Sequence, residues 1–442
     1  MKKLLVCMLL IVLACTTVFC EGQKEGNQHN NDKVLKISWF EGGFGRGYLD
    51  YAVELFKETH PDVQVVMDIG PKNHEQLRVQ MISGDVPDIF LANESFFDYF
   101  ALINDEQLAP LNDVFASNAP DVDGTFGDMF LPGILDVGFK DGNNYLCPIF
   151  NSFHGLWYSK TLFSQNGWKP PQNLAELTEV SKEISESGKL AAFTYQGIYP
   201  QYPLRVFFLP TVGAYGGQEA LDAINNLEPG AWTNEAVVKA AKDFKEYFKA
   251  YAMEGTLALN HTQAQIEFIN HRAAFIPCGT WFDNEMKGNW PNDFDLTYLL
   301  PPVPVTDNNR YVVTQVMFTA IPTNAKNKFA AKEFMKLLYS KDVRAFIAKD
   351  AGAVMPIKNS TDGLEHYLSP VMVQANNELS RDGVNTYFAT WRLWYKPLFK
   401  KVLDSMTEMV TGIITPEKFC EEVEKEAERI RKAPDIVKYR VN

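Results

Sequence analysis

Between Val34 and Ala92 the chain switches repeatedly between strand-like and helix-like hydrophobic periods, and this alternation restricts the folds open to it. Val34-Leu-Lys-Ile-Ser-Trp39 alternates as a half-buried strand and runs into a Gly-rich loop from Gly42 to Gly47. Tyr48 to Thr59 then sets Tyr51, Leu55 and Phe56 on one helical face, and His60-Pro61-Asp62 stops it. Val63 to Met67 reads as a short strand, and His74 to Ser83 as a helix ending at Gly84. Pro87-Asp88 leads into the apolar strand Ile89 to Ala92. This β-α-β-α-β order predicts a parallel sheet with right-handed crossovers. Ligands of such sheets sit beyond the carboxyl ends of the strands. Those ends are Phe40-Glu41-Gly42-Gly43 and Asn93-Glu94-Ser95.

The same pattern continues at larger scale. Tyr145 to Trp157, Ala191 to Tyr195, Arg272 to Pro277 and Met317 to Pro322 read as strands. Asn234 to Ala250, Asn327 to Tyr339, Tyr387 to Met406 and Pro416 to Arg431 read as helices, the last giving a charged helical C-terminus. No repeat of solenoid length and no internal low-complexity linker interrupts them. Roughly 400 residues with this apolar content suffice for two cores of ordinary domain size, so two α/β lobes in close contact are expected.

The first residues place the protein outside the cytoplasm. Lys2 and Lys3 precede the apolar run Leu4 to Leu13, which is too short to span a bilayer comfortably, so residues 1–20 read as an export signal. Val12-Leu13-Ala14-Cys15 fits lipid attachment at Cys15, and Thr17-Val18-Phe19-Cys20 offers Cys20 instead; ordinary cleavage after Cys20 is also open. Residues 21–33 are polar and Gly/Asn-rich, a tether unable to bury a core. The predicted location is periplasmic, or on the outer face of the cytoplasmic membrane with a lipid anchor. The formal charge is −13, and losing the two signal lysines makes it more negative, which argues against nucleic acid or an anionic membrane surface as partner. Beyond the signal only Cys147, Cys278 and Cys420 remain, too few and too scattered for a disulfide framework or a metal site. They read as buried thiols.

Catalytic signatures find no positive support. No G-x-G-x-x-G can be drawn through Gly42 to Gly47, which reads either as a loop whose NH groups approach a polar ligand or as a flexible turn. Asp283 and Glu285 are the nearest carboxylate pair for glycoside hydrolysis, but two residues apart at a helix start they point in different directions. His74-Glu75 lacks the second His of a zinc protease helix, and no G-x-S-x-G elbow occurs. Aromatic residues, 13% of the chain, instead gather at strand ends and loops beside amides and acids. Sugars need this mixture, with flat rings against C–H faces and planar polar groups around hydroxyls.

Several stretches, in order along the chain, resemble the extracellular solute-binding proteins of carbohydrate ABC transporters, family 1 type. They are Ser83-Gly-Asp-Val-Pro-Asp-Ile-Phe90, Gly155-Leu-Trp-Tyr-Ser-Lys160, Arg272-Ala-Ala-Phe-Ile-Pro-Cys-Gly-Thr-Trp281, Ala320-Ile-Pro322 and Lys328-Phe-Ala-Ala-Lys-Glu-Phe334. Phe193-Thr-Tyr-Gln-Gly-Ile-Tyr-Pro200, His261-Thr-Gln-Ala-Gln265 and Pro277 to Glu285 resemble the branch that binds N-acetylglucosamine and chitobiose, although Ile198 stands where that branch carries a basic residue. The resemblance implies a two-lobed periplasmic-binding-protein clamp, with residues 34–147 plus 281–316 in the N-terminal lobe and 148–280 plus 317–442 in the C-terminal lobe. It places hinge crossings near Cys147-Pro148, Pro277 to Gly279 and Phe318 to Ala320. It implies a monomer that binds a mono- or oligosaccharide reversibly and hands it to membrane permease subunits, with no cofactor, no metal and no reaction. The implied ligand contacts are Glu41, Asn93, Trp281 and Glu285 on one side and Asn151, Tyr195, Gln196, Tyr199 and Trp391 on the other. A neutral oligosaccharide as ligand, a secreted glycosidase and a surface adhesin lipoprotein are the competing readings.

Overall fold

The computed structural model describes residues 33–131, 134–304 and 310–441. The export signal, Cys15, Cys20 and the tether up to residue 32 lie outside the described residues. The alternation at the start folds as read: β1 (Val34–Phe40), α1 (Gly47–Thr59), β2 (Gln64–Gly70), α2 (Asn73–Ser83) and β3 (Ile89–Leu91). β1 pairs in parallel with β2 on one side and β3 on the other, with Ile37 opposite Met67 and Ile89. Gly84 ends α2 at φ 79°, a left-handed position that costs glycine nothing.

Apart from a small separate hairpin of Phe139–Lys140 with Asn143–Asn144, the remaining strands join the same sheet. β4 (Cys147–Ser159), β5 (Ala191–Phe193), β6 (Ala273–Gly279), β7 (Leu296–Leu299), β8 (Arg310–Ala320) and β9 (Val384–Phe388) give the order β2-β1-β3-β8-β4-β6-β5, with β9 on β8 and β7 on β4. β4 and β8 are the long members, antiparallel to each other, and they run through both lobes. Their register shifts between Met317 and Phe318, where Phe318 and Thr319 face Pro148 and Cys147. Two of the three crossings drawn from sequence therefore lie side by side. β8 begins seven residues earlier than the apolar run suggested, because Arg310 to Val316 pairs with β9 and β4 and is buried without being uniformly apolar.

Packing corrects the lobe boundaries. One apolar cluster gathers Leu35, Ile37, Trp39 and Phe56 with Phe334, Leu338 and Ile347, so the helices Lys328–Leu337 and Lys341–Ala351 lie on the first lobe, not the second. Tyr51 stacks on Phe346 at 4.4 Å across that contact. Conversely β7 pairs with Leu156 to Ser159, and Phe282, Met286 and Tyr298 pack with Trp157 and Phe268, so residues 282–300 belong with the second lobe rather than the first. Strands that pass through both lobes mark a crossing but not which side the following helix takes. The second lobe is closed by the helices Glu235–Tyr251, Lys396–Val410 and Pro416–Lys432, while Tyr387 lies in β9 and not in a helix. Cys147, Cys278 and Cys420 are all buried and unpaired.

Candidate functional site

A cavity of about 420 Å³ opens where the carboxyl ends of β1 and β3 face the second lobe, with the β4–β8 pair as its floor. The size is that of a small-ligand site. The floor follows from strand periodicity: Phe150 and Ser152 on β4 face it, as do their cross-strand partners Met317 and Gln315 on β8. Asn151 falls between them, on the opposite face of the strand by alternation, and its backbone NH donates to Val354 O at 3.2 Å. It is not part of the lining.

Of the residues drawn from sequence, Glu41, Asn93, Tyr199, Trp281 and Glu285 come together around this cavity. Glu41 follows β1 directly, and its NH is held by Gly70 O. Asn93 turns its Oδ1 back to the Ser95 NH at 2.9 Å. Trp281 lies against the Gly-rich loop so closely that a Cβ on Gly43 would stand 2.8 Å from its Cδ1. Asn284 Nδ2 donates to Gly43 O at 3.0 Å and fastens the same contact. The Gly-rich loop thus packs its Gly43 against a tryptophan while also lining the cavity. Across the opening, exposed Phe96 meets Tyr199 edge-on at 6.4 Å, one ring from each lobe.

The other three residues are core. Tyr195 is packed between Phe193 and Phe248, its NH and C=O both held by Thr256 Oγ1. Gln196 is fully buried beside Cys278, with its Oε1 unpartnered. Trp391 is fully buried edge-on to Trp232 at 5.1 Å. Their sequence neighbourhoods are polar or aromatic enough to suggest a site, but the packing around them buries all three side chains.

His261 and Gln265, read from sequence only as part of a family-like motif, form with Glu285 the polar framework of the second-lobe wall. His261, at the start of the helix His261–Ile269, places Nε2 2.5 Å from Glu285 Oε2 and Nδ1 2.8 Å from the Tyr202 hydroxyl. Gln265 Nε2 donates to the same Glu285 oxygen at 2.6 Å. With Nε2–H donating to the carboxylate, the imidazole accepts from Tyr202, so the three side chains act as one aligned chain. Asp283 takes no part: its Oδ2 accepts from Ser369 Oγ at 2.5 Å, so the two carboxylates diverge.

Deeper in, Arg205 sits on a π-helical turn over Leu204–Phe208 and is 2% exposed. Its Nη1 donates to Gln315 Oε1 at 2.6 Å and to His154 Nε2 at 3.2 Å, while Nε and Nη2 have no partner. Burial, and then the neighbouring Arg392, draws its guanidinium down to about 9. His154 donates from Nδ1 to Val313 O, and burial together with Arg205 keeps it neutral. Glu94, also on the lining, pairs with Arg392. Arg205 is the single charge in Tyr202 to Tyr215, and a lone arginine in so apolar a run was the available signal. No group of three or more His, Cys, Asp or Glu among the described residues forms a metal cage.

Two α/β lobes around a pre-formed polar cleft with aromatic walls define a receptor for a small polar ligand. The chain belongs to the bacterial extracellular solute-binding proteins, whose family model matches residues 44–345. It is 27% identical over 386 residues to the diacetylchitobiose binding protein NgcE of Streptomyces coelicolor, covering 83% of this chain and 79% of that one. A chitin oligosaccharide binding protein superposes with TM-score 0.73 at 19% identity, covering 90% and 98% of the two chains. Maltose-bound MalE3 of T. maritima gives 0.69 at 21% identity, covering 90% and 100%. The protein is thus an extracellular solute-binding protein, in a family of receptors rather than enzymes.

Proposed function

We propose that the cleft binds an N-acetylglucosamine or chitobiose-like sugar reversibly and that lobe closure presents it to membrane permease subunits. The observation that carries this reading is the union of Trp281, Tyr199 and Phe96 with Glu41, Asn93 and Glu285 around one cavity. Flat rings suit the C–H faces and the acetyl methyl, and the acids and amides suit hydroxyls and the amide. The relative in Streptomyces coelicolor is itself a diacetylchitobiose binding protein, which supports the acetamido assignment over a neutral sugar. The mature chain acts as an exported monomer, lipid-anchored through Cys15 or Cys20 and tethered by residues 21–33.

The test is a calorimetric titration with N-acetylglucosamine, chitobiose, maltose and xylobiose. Saturable binding near micromolar, about −8 kcal/mol, to the acetamido sugars alone is expected. Binding confined to maltose or xylobiose would replace the acetamido assignment with a neutral oligosaccharide.

A further inference from the structure

The cleft floor has a fixed hydrogen-bond polarity. Gln315 lies on β8, is 8% exposed and lines the cavity. An asparagine or glutamine amide has an accepting end and a donating end, and the neighbours decide which end points where. Arg205 has donors only, so it claims Oε1, as the 2.6 Å contact from Nη1 records. Gln315 cannot turn over without setting its NH2 against a buried guanidinium. His154 adds a second acceptor to the same Nη1 and locks the arrangement through its own bond to Val313 O. Among the described residues the Nε2 group of Gln315 has no partner beside the cavity, while Ser152, its cross-strand neighbour, is occupied with Gln315 O.

We infer that Gln315, oriented by Arg205, is a specificity-determining residue whose amide NH2 donates to an acceptor-only oxygen of the ligand, the carbonyl of an acetamido group. The inference rests on the acetamido reading above and deepens it. A sugar hydroxyl both donates and accepts, so it tolerates either polarity on the floor. A carbonyl oxygen only accepts, so it alone depends on finding a donor there. The donating amide therefore admits the acylated sugar, which an accepting group in the same place would exclude, and its direction is set by a residue behind it. Arg205 is the positioning residue in this pair.

The test is Gln315→Glu, which keeps the shape and gives Arg205 a carboxylate but turns the floor from donor to acceptor. Binding of chitobiose and of cellobiose, the same disaccharide with hydroxyls in place of acetamido groups, is measured by calorimetry for both proteins. The wild type is expected to prefer chitobiose, and the variant to lose about tenfold or more for chitobiose while cellobiose changes by less than about threefold. Gln315→Met, which removes donor and acceptor together, is expected to reduce the same preference and serves if the first variant melts early. A wild type with no preference overturns the acetamido reading and the assignment with it. A wild-type preference that both variants leave unchanged, or an equal loss for both sugars, overturns the assignment alone.

Discussion

Glu94 and Arg392 form an ion pair at 3.1 Å with each side chain 1% exposed, and the pair ties the loop after β3 to the second lobe. Lys396 adds a hydrogen bond to the Glu94 carbonyl. Charges this deep are costly alone, and removing one partner strands the other. Glu94→Ala is expected to destabilise the protein by about 3–5 kcal/mol in urea unfolding. Glu94→Leu combined with Arg392→Met is expected to recover most of that loss. Single variants as stable as the wild type would contradict the pair's role.

Lys396 gives the same region a pH signature. Burial draws its ammonium down to about 8, from 10.5 for a free lysine. Between those values the unfolded chain holds a proton that the folded chain has released, so this group's contribution to stability rises with pH across that window. Below the lower value the burial cost is fully present. The urea midpoint of the wild type, compared with Lys396→Met, is expected to gain from pH ~8 to ~10. A constant difference would show that the lysine does not titrate in that range.

Gly43 carries the close approach to Trp281, and a methyl there meets both the indole Cδ1 and, at 3.0 Å, the side-chain Cβ. Gly43→Ala is expected to tilt the ring and weaken sugar binding about tenfold, equivalent to about 1.4 kcal/mol. Stability should change by less than about 1 kcal/mol, since the loop is at the cavity edge. Unchanged affinity would remove Trp281 from the binding surface.

Trp391 separates a core aromatic from a ligand platform. It is fully buried between Trp232 and Phe399, so Trp391→Ala is expected to cost about 3–5 kcal/mol in unfolding free energy. Ligand affinity of the folded fraction should be unaltered. Loss of affinity at retained stability would return Trp391 to the site.

These residues also show what the sequence could reveal. The alternation from Val34 to Ala92 fixes strand order near Glu41 and Asn93, because carboxyl ends of parallel strands converge by topology. Trp281 and Glu285 were legible through the motif that carries them. Asn151, Tyr195 and Trp391 were not separable from core, since which way a side chain faces depends on register, and the pairing of Asn151 with Val316 is a long-range fact. Arg205 and Gln315 escaped notice, and His261 was seen only as part of a motif, because their partners come from segments distant in the chain, 110 residues apart for Arg205 and Gln315. The placement of 328–351 on the first lobe depended on packing that no local pattern encodes.

The most direct measurement is a crystal structure of the protein grown with chitobiose. One disaccharide is expected enclosed between the lobes, with a sugar ring on Trp281, hydroxyls on Glu41 and Glu285, and an acetamido oxygen within hydrogen-bond distance of Gln315 Nε2. A sugar bound outside this cavity, or a cleft that stays empty at saturating chitobiose, would contradict it.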